Sequence, residues 1–444
     1  MVHNVFYKTF VRLIKIYIIN NFEMKVLLIW PIFLKKPKLL QPLGLAYIAS
    51  CLEKVGHNVK IIDPTIEKKS IGEVEKEIKK YDPDALGVSS NTETIYDLYG
   101  LNKFAKRNNP NCKTIIGGPH ATALPVETLK ECPYIDIVVR GEGELTIVEL
   151  LEGKDYDNIK GITFRKDKKI INNPDRALIN NLDELPFPAY HLLPMKKYLT
   201  KEKELYSSIS TSRGCPYNCI FCASSNLWGR KWRAKSPSII IDEIKLLFDK
   251  YKIKKLYFID DLSTASKKRM VELCNLLKKE KIDIEWECSS RVNLIDYEIC
   301  KVMKKAGCKT VGFGIESGNQ KTLDFFNKGI TINQAIDAVK TAKKTGLYTD
   351  SNFILGAPFE TKKMLMHTIK FSQNIGLTFI FYSILTPLPG SKMYEIAKKE
   401  DLLLTKDWSK YKSYNPVMKI EHVTTNELKL IYMYAYFRKK ILRK

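Results

Sequence analysis

The chain has 444 residues and a formal net charge of +24, from 73 Lys and Arg against 49 Asp and Glu, with 45% hydrophobic residues. That length exceeds what one core usually serves, so two domains, or two and an appendage, are expected. Ten cysteines are too few and too scattered for a disulfide scaffold, which excludes the small secreted class and points to a reducing, cytoplasmic compartment. The positive charge raises nucleic acid as a partner, because clustered Lys and Arg release counterions from phosphates. Here the basic residues are dispersed, as in the predicted Lys-rich helices over 267–281 and 340–344, and read as the solvated surface of a Lys- and Ile-rich, thermophile-like protein. The densest run, 436–444, would suit RNA, anionic lipid or water alone, and water is the expectation.

Residues 1–23 are expected to form neither a membrane span nor a signal. Lys8, Arg12 and Lys15 interrupt the apolar run from Val5 to Ile19, and no small-residue cleavage site follows. They read as a mis-called extension ahead of a start at Met24, the alternative being a basic amphipathic surface helix.

From Lys25 to about Leu151, short apolar runs alternate with helical patterns. Strands are predicted at 26–30, 59–62, 85–90, 114–116 and 135–139, with helices near 45–55, 71–81, 95–107 and 144–151 between them. Such alternation predicts a doubly wound parallel sheet, an α/β architecture whose ligands sit beyond the carboxyl ends of the strands. Glycines and small polar residues gather at those ends: Pro42-Leu43-Gly44, Ser89-Ser90-Asn91-Thr92, Gly117-Gly118-Pro119-His120 and Gly141-Glu142-Gly143-Glu144. Glycine there lets backbone approach a bulky ligand closely. A short hairpin follows over 161–171, turning at 166–168, and then the proline-stiffened stretch 183–190, so a connector is expected over 156–200.

Cys215, Cys219 and Cys222 stand in the run Arg213-Gly214-Cys215-Pro216-Tyr217-Asn218-Cys219-Ile220-Phe221-Cys222. Soft thiolates suit iron–sulfur clusters, and three of them leave one iron of a [4Fe–4S] cubane without a protein ligand. Structural zinc would need a fourth ligand and a second paired knuckle, and neither is evident nearby. Strands and helices then alternate again, with strands predicted at 207–211, 256–259, 284–288, 310–315, 351–355 and 379–385, and a helix opened by Pro237 through about Tyr251.

The Cys-x3-Cys-x2-Cys spacing is the signature of the radical SAM superfamily. Together with Pro42-Leu43-Gly44-Leu45-Ala46-Tyr47-Ile48-Ala49, Gly117-Gly118-Pro119-His120-Ala121-Thr122 and Gly141-Glu142-Gly143-Glu144 ahead of it, the chain resembles the B12-dependent radical SAM family over about residues 25–400. The resemblance implies a Rossmann-like cobalamin-binding domain over 24–155, a partial (β/α)6 radical SAM barrel over 201–400, and a basic helical segment over 401–444. It implies cobalamin at the edge lined by Gly44, Ser90, Gly117, Gly118, His120 and Gly141. No Asp-x-His-x-x-Gly string occurs, so the resemblance allows cobalamin without a protein histidine on cobalt, or a domain that has lost it; His57 reads as structural, and His120 as either.

At the barrel mouth, where such folds keep their active sites, one of Asp260 and Asp261 is implied to hold the SAM ammonium, while the other would cap a helix with Ser263. Arg291 or Ser289 is implied to meet the SAM carboxylate or ribose, the alternative being an Arg paired with a surface carboxylate. Glu316, closing Gly312-Phe313-Gly314-Ile315-Glu316, would contact SAM or ribose, or cap the next helix; Gly356 borders the adenine by the same resemblance. The implied enzyme cleaves S-adenosylmethionine at the cluster to a 5′-deoxyadenosyl radical and methylates an unactivated carbon through cobalamin. Cyclisation or rearrangement is the close alternative. A tRNA-modifying enzyme is more distant, since neither a second cysteine triad nor a small RNA-binding barrel is present, and a non-catalytic corrinoid sensor needs no open iron. The expected partners are a small-molecule or lipid-like substrate and an electron donor of flavodoxin or ferredoxin type, with no specific nucleic acid; contact with a membrane surface stays open.

Overall fold

Five short strands whose side chains are mostly buried on both faces make the first sheet: β1 (Lys25–Ile29), β2 (Asn58–Ile62), β3 (Ala85–Ser89), β4 (Lys113–Gly117) and β5 (Ile137–Val139). They pair in parallel in the order β2-β1-β3-β4-β5. Near-continuous apolar runs are what a parallel sheet covered on both sides requires. The computed structural model describes residues 23–30, 40–200 and 203–441; the reading of residues 1–23 falls almost wholly outside them. Four longer helices alternate with these strands: α1 (Leu43–Lys54), α2 (Ile71–Tyr81), α3 (Ile95–Asn108) and α4 (Glu144–Leu151). The second begins where the sequence says it must, because Ser70 and Glu73 form a reciprocal capping box.

The hairpin expected in the connector belongs to this sheet instead. β6 (Ile162–Lys166) and β7 (Lys169–Asn172) extend it antiparallel from β5. Arg140, buried at the end of β5, fastens them: its guanidinium donates to Ile162 O at 2.7 Å, Asn172 Oδ1 at 2.6 Å and Asp175 Oδ1 at 2.8 Å. The exposed Lys and Asp turn carries no sign of the buried Phe164 beneath it, so sequence pattern alone leaves the hairpin in the connector.

The chain divides into two compact units, the first holding β1, Pro42–Leu178 and Leu185–Lys197, the second Ile179–Glu184 and the chain from Tyr198. In the second, six parallel strands stand in order of sequence: β8 (Tyr206–Ile209), β11 (Lys255–Phe258), β12 (Glu285–Ser290), β13 (Cys308–Glu316), β14 (Tyr348–Leu355) and β15 (Phe379–Ile384). Between β8 and β11 a two-residue pair, β9 (Ser212–Arg213) and β10 (Arg233–Ala234), brackets the cysteine loop and leads into α5 (Pro237–Tyr251). The further helices are α6 (Lys267–Lys279), α7 (Tyr297–Lys305), α8 (Ile332–Lys344), α9 (Lys362–Asn374), α10 (Lys392–Lys399) and α11 (Thr425–Ile441). At least one helix between successive parallel strands gives a curled half-barrel with β8 and β15 at its edges. The β15 edge is partly covered, since Ile384 N donates to Ser413 O at 2.6 Å and α11 packs beside the strand.

Candidate functional site

The cysteine loop leaves β9 through Gly214, whose φ is +84°, and a Cβ there would stand 2.5 Å from Lys231 O. Only glycine fits such an approach in the left-handed region. Past it, the loop is held at both ends and in its middle. Arg213 stacks over the Trp228 ring at 5.0 Å, Ile220 N donates to Phe326 O at 3.0 Å, and Met393 N donates to Ile220 O at 2.7 Å. Phe221 meets Phe326 edge-to-face at 5.1 Å, joining the apolar cluster of Ile220, Ile354, Leu385 and Met393. The aromatic beside the third cysteine is thus a wall of the loop.

Cys215, Cys219 and Cys222 are half-buried, whereas Cys51, Cys112, Cys132, Cys274, Cys288, Cys300 and Cys308 are all buried. Burial pushes the Cys222 thiol up to about 11 and raises that of Cys215. The Ser224 N–H, 3.5 Å from Cys222 Sγ, and the Arg291 charge, acting on Cys215, oppose this, and the Arg291 guanidinium also lies 3.8 Å from Cys219 Sγ. Among the described residues no three His, Cys, Asp or Glu side chains converge as a ready metal cage, so the thiols share one loop without closing on a point. Three soft donors on one loop, with N–H groups turned to their sulfurs, fit an iron–sulfur cluster.

The acidic pair after β11 divides its work. Asp260 is buried and accepts from Thr211 N at 2.7 Å, Thr211 Oγ1 at 2.5 Å and Ser212 N at 2.9 Å, so both its oxygens brace the backbone entering the cysteine loop. Asp261 accepts from Ser224 Oγ at 2.5 Å. Burial raises its carboxyl above the usual range, with the Asp260 charge adding to the effect and hydrogen bonds from Ser224 and the Gly214 backbone opposing it. Neither caps the following helix; Ser266 does, accepting from Arg269 N at 3.3 Å.

Arg291, expected at the SAM carboxylate, faces the cysteine loop. Its guanidinium carbon lies 3.5 Å from the Tyr217 ring centroid, and Nη2 donates to Lys328 O. Ser289 Oγ lies 3.4 Å from the Tyr257 hydroxyl. Glu316 sits at φ +71°, strained for a residue with a side chain, and is paired with buried Lys328 at 2.8 Å rather than capping a helix. That lysine also lies 2.6 Å from where a Gly314 Cβ would be, and Asp350 Oδ1 3.0 Å from that of Gly312. The two glycines therefore clear space that protein side chains share. Gly356, φ +99°, has Ile420 and Leu428 against the place of its missing side chain, at 2.9 and 3.1 Å, while its N–H donates to Glu360 at 2.9 Å. The Glu360 carboxyl, raised by burial, also accepts from Ala357 N and Thr322 Oγ1, making it a strut for this turn.

Strand alternation also places Tyr257, Glu287, Ser289, Asp350 and Asn352 on one face of the half-barrel, opposite to the buried Phe258, Trp286, Cys288, Ser351 and Phe353. Partial desolvation raises the carboxyl of Glu287, whose side chain is solvent-exposed, and burial raises the Tyr257 phenol, the latter also through Asp350 and Glu287. Neither carboxylate was singled out from the sequence, although Glu285-Trp286-Glu287-Cys288-Ser289 alternates with period two. Lys328, in an irregular segment after a short helix, carries no such signal.

In the first unit, Ser90 is fully buried and stitches β3 to β4, donating through Oγ to Gly117 O at 2.7 Å and accepting from Ala121 N at 3.1 Å. A Cβ on Gly118, φ +90°, would meet Ser90 N at 2.7 Å. His120 is 1% exposed, lies 3.2 Å from Thr92 Oγ1 through Nδ1, and is pushed down to about 4 by burial, hence neutral. Gly141 N donates to Thr122 Oγ1 at 3.1 Å, and Gly44 has open space where a Cβ would point. The strand ends of β3, β4 and β5 thus form one stitched rim with little side-chain bulk, which suits close approach of a large planar ligand.

Residues 209–372 match the radical SAM superfamily and residues 30–151 the B12 binding domain. An uncharacterized methyltransferase of Pyrococcus horikoshii is 44% identical over 411 residues, covering 91% of this chain and 89% of the relative. The anaerobic magnesium-protoporphyrin IX monomethyl ester cyclase of Rubrivivax gelatinosus is 30% identical over 400 residues, covering 87% and 71%. In fold the chain is similar to the cobalamin-dependent S-adenosylmethionine radical enzyme OxsB, solved with aqua-cobalamin and S-adenosylmethionine bound, at TM-score 0.78 and 16% identity, over 95% of this chain and 72% of that one. A half-barrel carrying a three-cysteine loop, joined to a B12-type α/β domain, defines a radical SAM enzyme that uses cobalamin. This chain belongs to the cobalamin-dependent radical SAM family, whose cofactors are a [4Fe–4S] cluster, S-adenosylmethionine and cobalamin.

Proposed function

We propose that this enzyme is a carbon methyltransferase whose cluster is held by Cys215, Cys219 and Cys222. The observation that carries the assignment is the contrast among ten thiols: three half-buried on one loop with N–H donors at two sulfurs, seven buried in the core. When bound, cluster, S-adenosylmethionine and cobalamin supply reductive carbon–sulfur cleavage and methyl carriage. The protein's part is placement. Asp260 fixes the backbone ahead of Gly214, Arg291 and the Ser224 N–H hold charge against the sulfurs, and Phe221 shields one side of the loop. Gly312, Gly314, Glu316 and Gly356 line the strand ends where S-adenosylmethionine would lie, with Lys328 keeping the Glu316 charge compensated. Cobalamin would rest on the rim of Gly44, Ser90, Gly117, Gly118, His120 and Gly141, with the neutral, buried His120 as floor rather than as a cobalt ligand.

The substrate is a small or lipid-like molecule facing Tyr257, Glu287 and Asp350, the electron donor a small flavodoxin- or ferredoxin-type protein, and the compartment the reducing cytoplasm. The 44% identity to a relative named as a methyltransferase favours methylation; the 30% identity to a cyclase makes ring closure on the same cofactors the second reading. Anaerobic reconstitution with iron, sulfide and hydroxocobalamin, then incubation with methyl-deuterated S-adenosylmethionine, dithionite and cell extract, tests this. Label transfer to a carbon of an extract metabolite is expected, along with loss of cluster absorbance in the triple Cys→Ala variant. Full iron content in that variant would remove the ligand assignment, and 5′-deoxyadenosine production without label transfer would favour the cyclase reading.

A further inference from the structure

Helix α11 is apolar on two opposite sides. Leu428, Ile431, Tyr432 and Ala435 form the inward stripe, with Leu428 and Ala435 fully buried and the helix packed beside β15 and α9. Leu430, Met433, Tyr434 and Phe437 recur at i, i+3, i+4 and i+7 on the other side, 61%, 44%, 39% and 59% exposed. The inward stripe suffices to dock the helix, so the outward one adds nothing to the fold. From Leu428 to Lys444 the sequence has six cations, Lys429, Arg438, Lys439, Lys440, Arg443 and Lys444, and no acidic residue. Glu427, at the other end, is already paired with Lys362 at 2.6 Å. Arg438 leans on Tyr434, donating to its hydroxyl at 2.7 Å, so an aromatic body carries a cation at its tip.

We propose that the outward face of α11 docks on an anionic phospholipid surface. An apolar stripe with aromatic rings, ended by cations and free of acids, matches a headgroup boundary: rings and aliphatic side chains enter the acyl edge while the cations meet phosphates. A second copy of the chain fits less well, because two such surfaces would bring like charges together. Among the described residues no helix is long and apolar enough to cross a membrane, so this contact is peripheral. It is independent of the methyltransferase reading, and brings the half-barrel to where a lipid-like substrate would be met.

The full-length holoenzyme is tested by co-sedimentation with vesicles of phosphatidylcholine alone and with about a third phosphatidylglycerol, at low and high salt. Binding to the anionic vesicles, at least tenfold tighter than to neutral ones and weakened by salt, is expected. The double variant Met433→Glu, Phe437→Glu should lose at least tenfold in vesicle affinity while retaining fold and S-adenosylmethionine cleavage in solution. Absence of wild-type binding, equal binding to both vesicles, or unchanged binding by the double variant would overturn the proposal. So would a wild-type dimer that this variant dissociates, or tight transfer-RNA binding lost with the same substitutions.

Discussion

Replacing Asp260 separates a structural brace from a cofactor contact. In Asp260→Ala, the amides of Thr211 and Ser212 lose their acceptor in a buried setting, and the Thr211 hydroxyl loses a third bond. Each stranded buried donor costs about 1–3 kcal/mol, so the two amides together predict a loss of about 2–6 kcal/mol. In a unit of this size that lowers the melting temperature by roughly 10 °C. Asp260→Asn keeps one acceptor oxygen for the amides and should lose about half as much. Because the braced backbone lies just ahead of Gly214 and Cys215, iron content after reconstitution should fall in the order wild type, Asn, Ala. If instead Asp260 held the ammonium of S-adenosylmethionine, Asp260→Asn would keep full stability and iron content while losing affinity for the cosubstrate. Thermal melts, iron assays and equilibrium binding of S-adenosylmethionine distinguish the two, and an Ala variant with unchanged melting temperature and full iron would refute the brace.

Lys328→Met should destabilise by about 3–5 kcal/mol, because it leaves buried Glu316 uncompensated, and adding Glu316→Leu should recover most of the loss; chemical denaturation of both variants checks this, and equal destabilisation by single and double variants would contradict it. Glu287→Gln should stabilise at pH 7 and be neutral at pH 4. Partial desolvation raises this exposed carboxyl above its ordinary 4.5, so the native state binds more protons and loses a little stability as pH rises, a small penalty absent in the amide. A melting temperature lowered at pH 7 would reverse the sign and refute this. Arg291→Gln removes a cation from Cys219 Sγ, which should move the cluster to a more negative potential in an EPR-monitored titration at unchanged iron content; an unmoved potential would remove Arg291 from the cluster's surroundings.

Much of the architecture was legible because each signal is local. Ser70 and Glu73 fix the start of α2, Pro237 that of α5, and uninterrupted apolar runs mark strands buried on both faces. The half-barrel was legible for the same reason, at least one helix per strand. The hairpin β6–β7 was not. Its membership of the sheet depends on Arg140 reaching across to Ile162, Asn172 and Asp175, a long-range network that no window of sequence contains. The short helices Pro119–Ala123 and Pro125–Glu131 were hidden by the same proline and glycine residues that announced a ligand loop.

At the site, residue type was legible and partner was not. A glycine in a strand states that something must come close, without stating what. At Gly118 that neighbour is the Ser90 backbone, at Gly312 the Asp350 carboxylate, at Gly314 the Lys328 ammonium, and at Gly356 two side chains of the C-terminal segment. Likewise Arg291 and Asp260 are the residue types a charged ligand needs, yet each is turned toward the cysteine loop by partners distant in sequence. The half-barrel therefore owes part of its shape to the protein's own charges. The Glu316–Lys328 pair shows this most directly: Glu316 holds a strained φ of +71° while a buried ammonium pairs its carboxylate, so removing Lys328 should free Glu316 to relax out of the left-handed region.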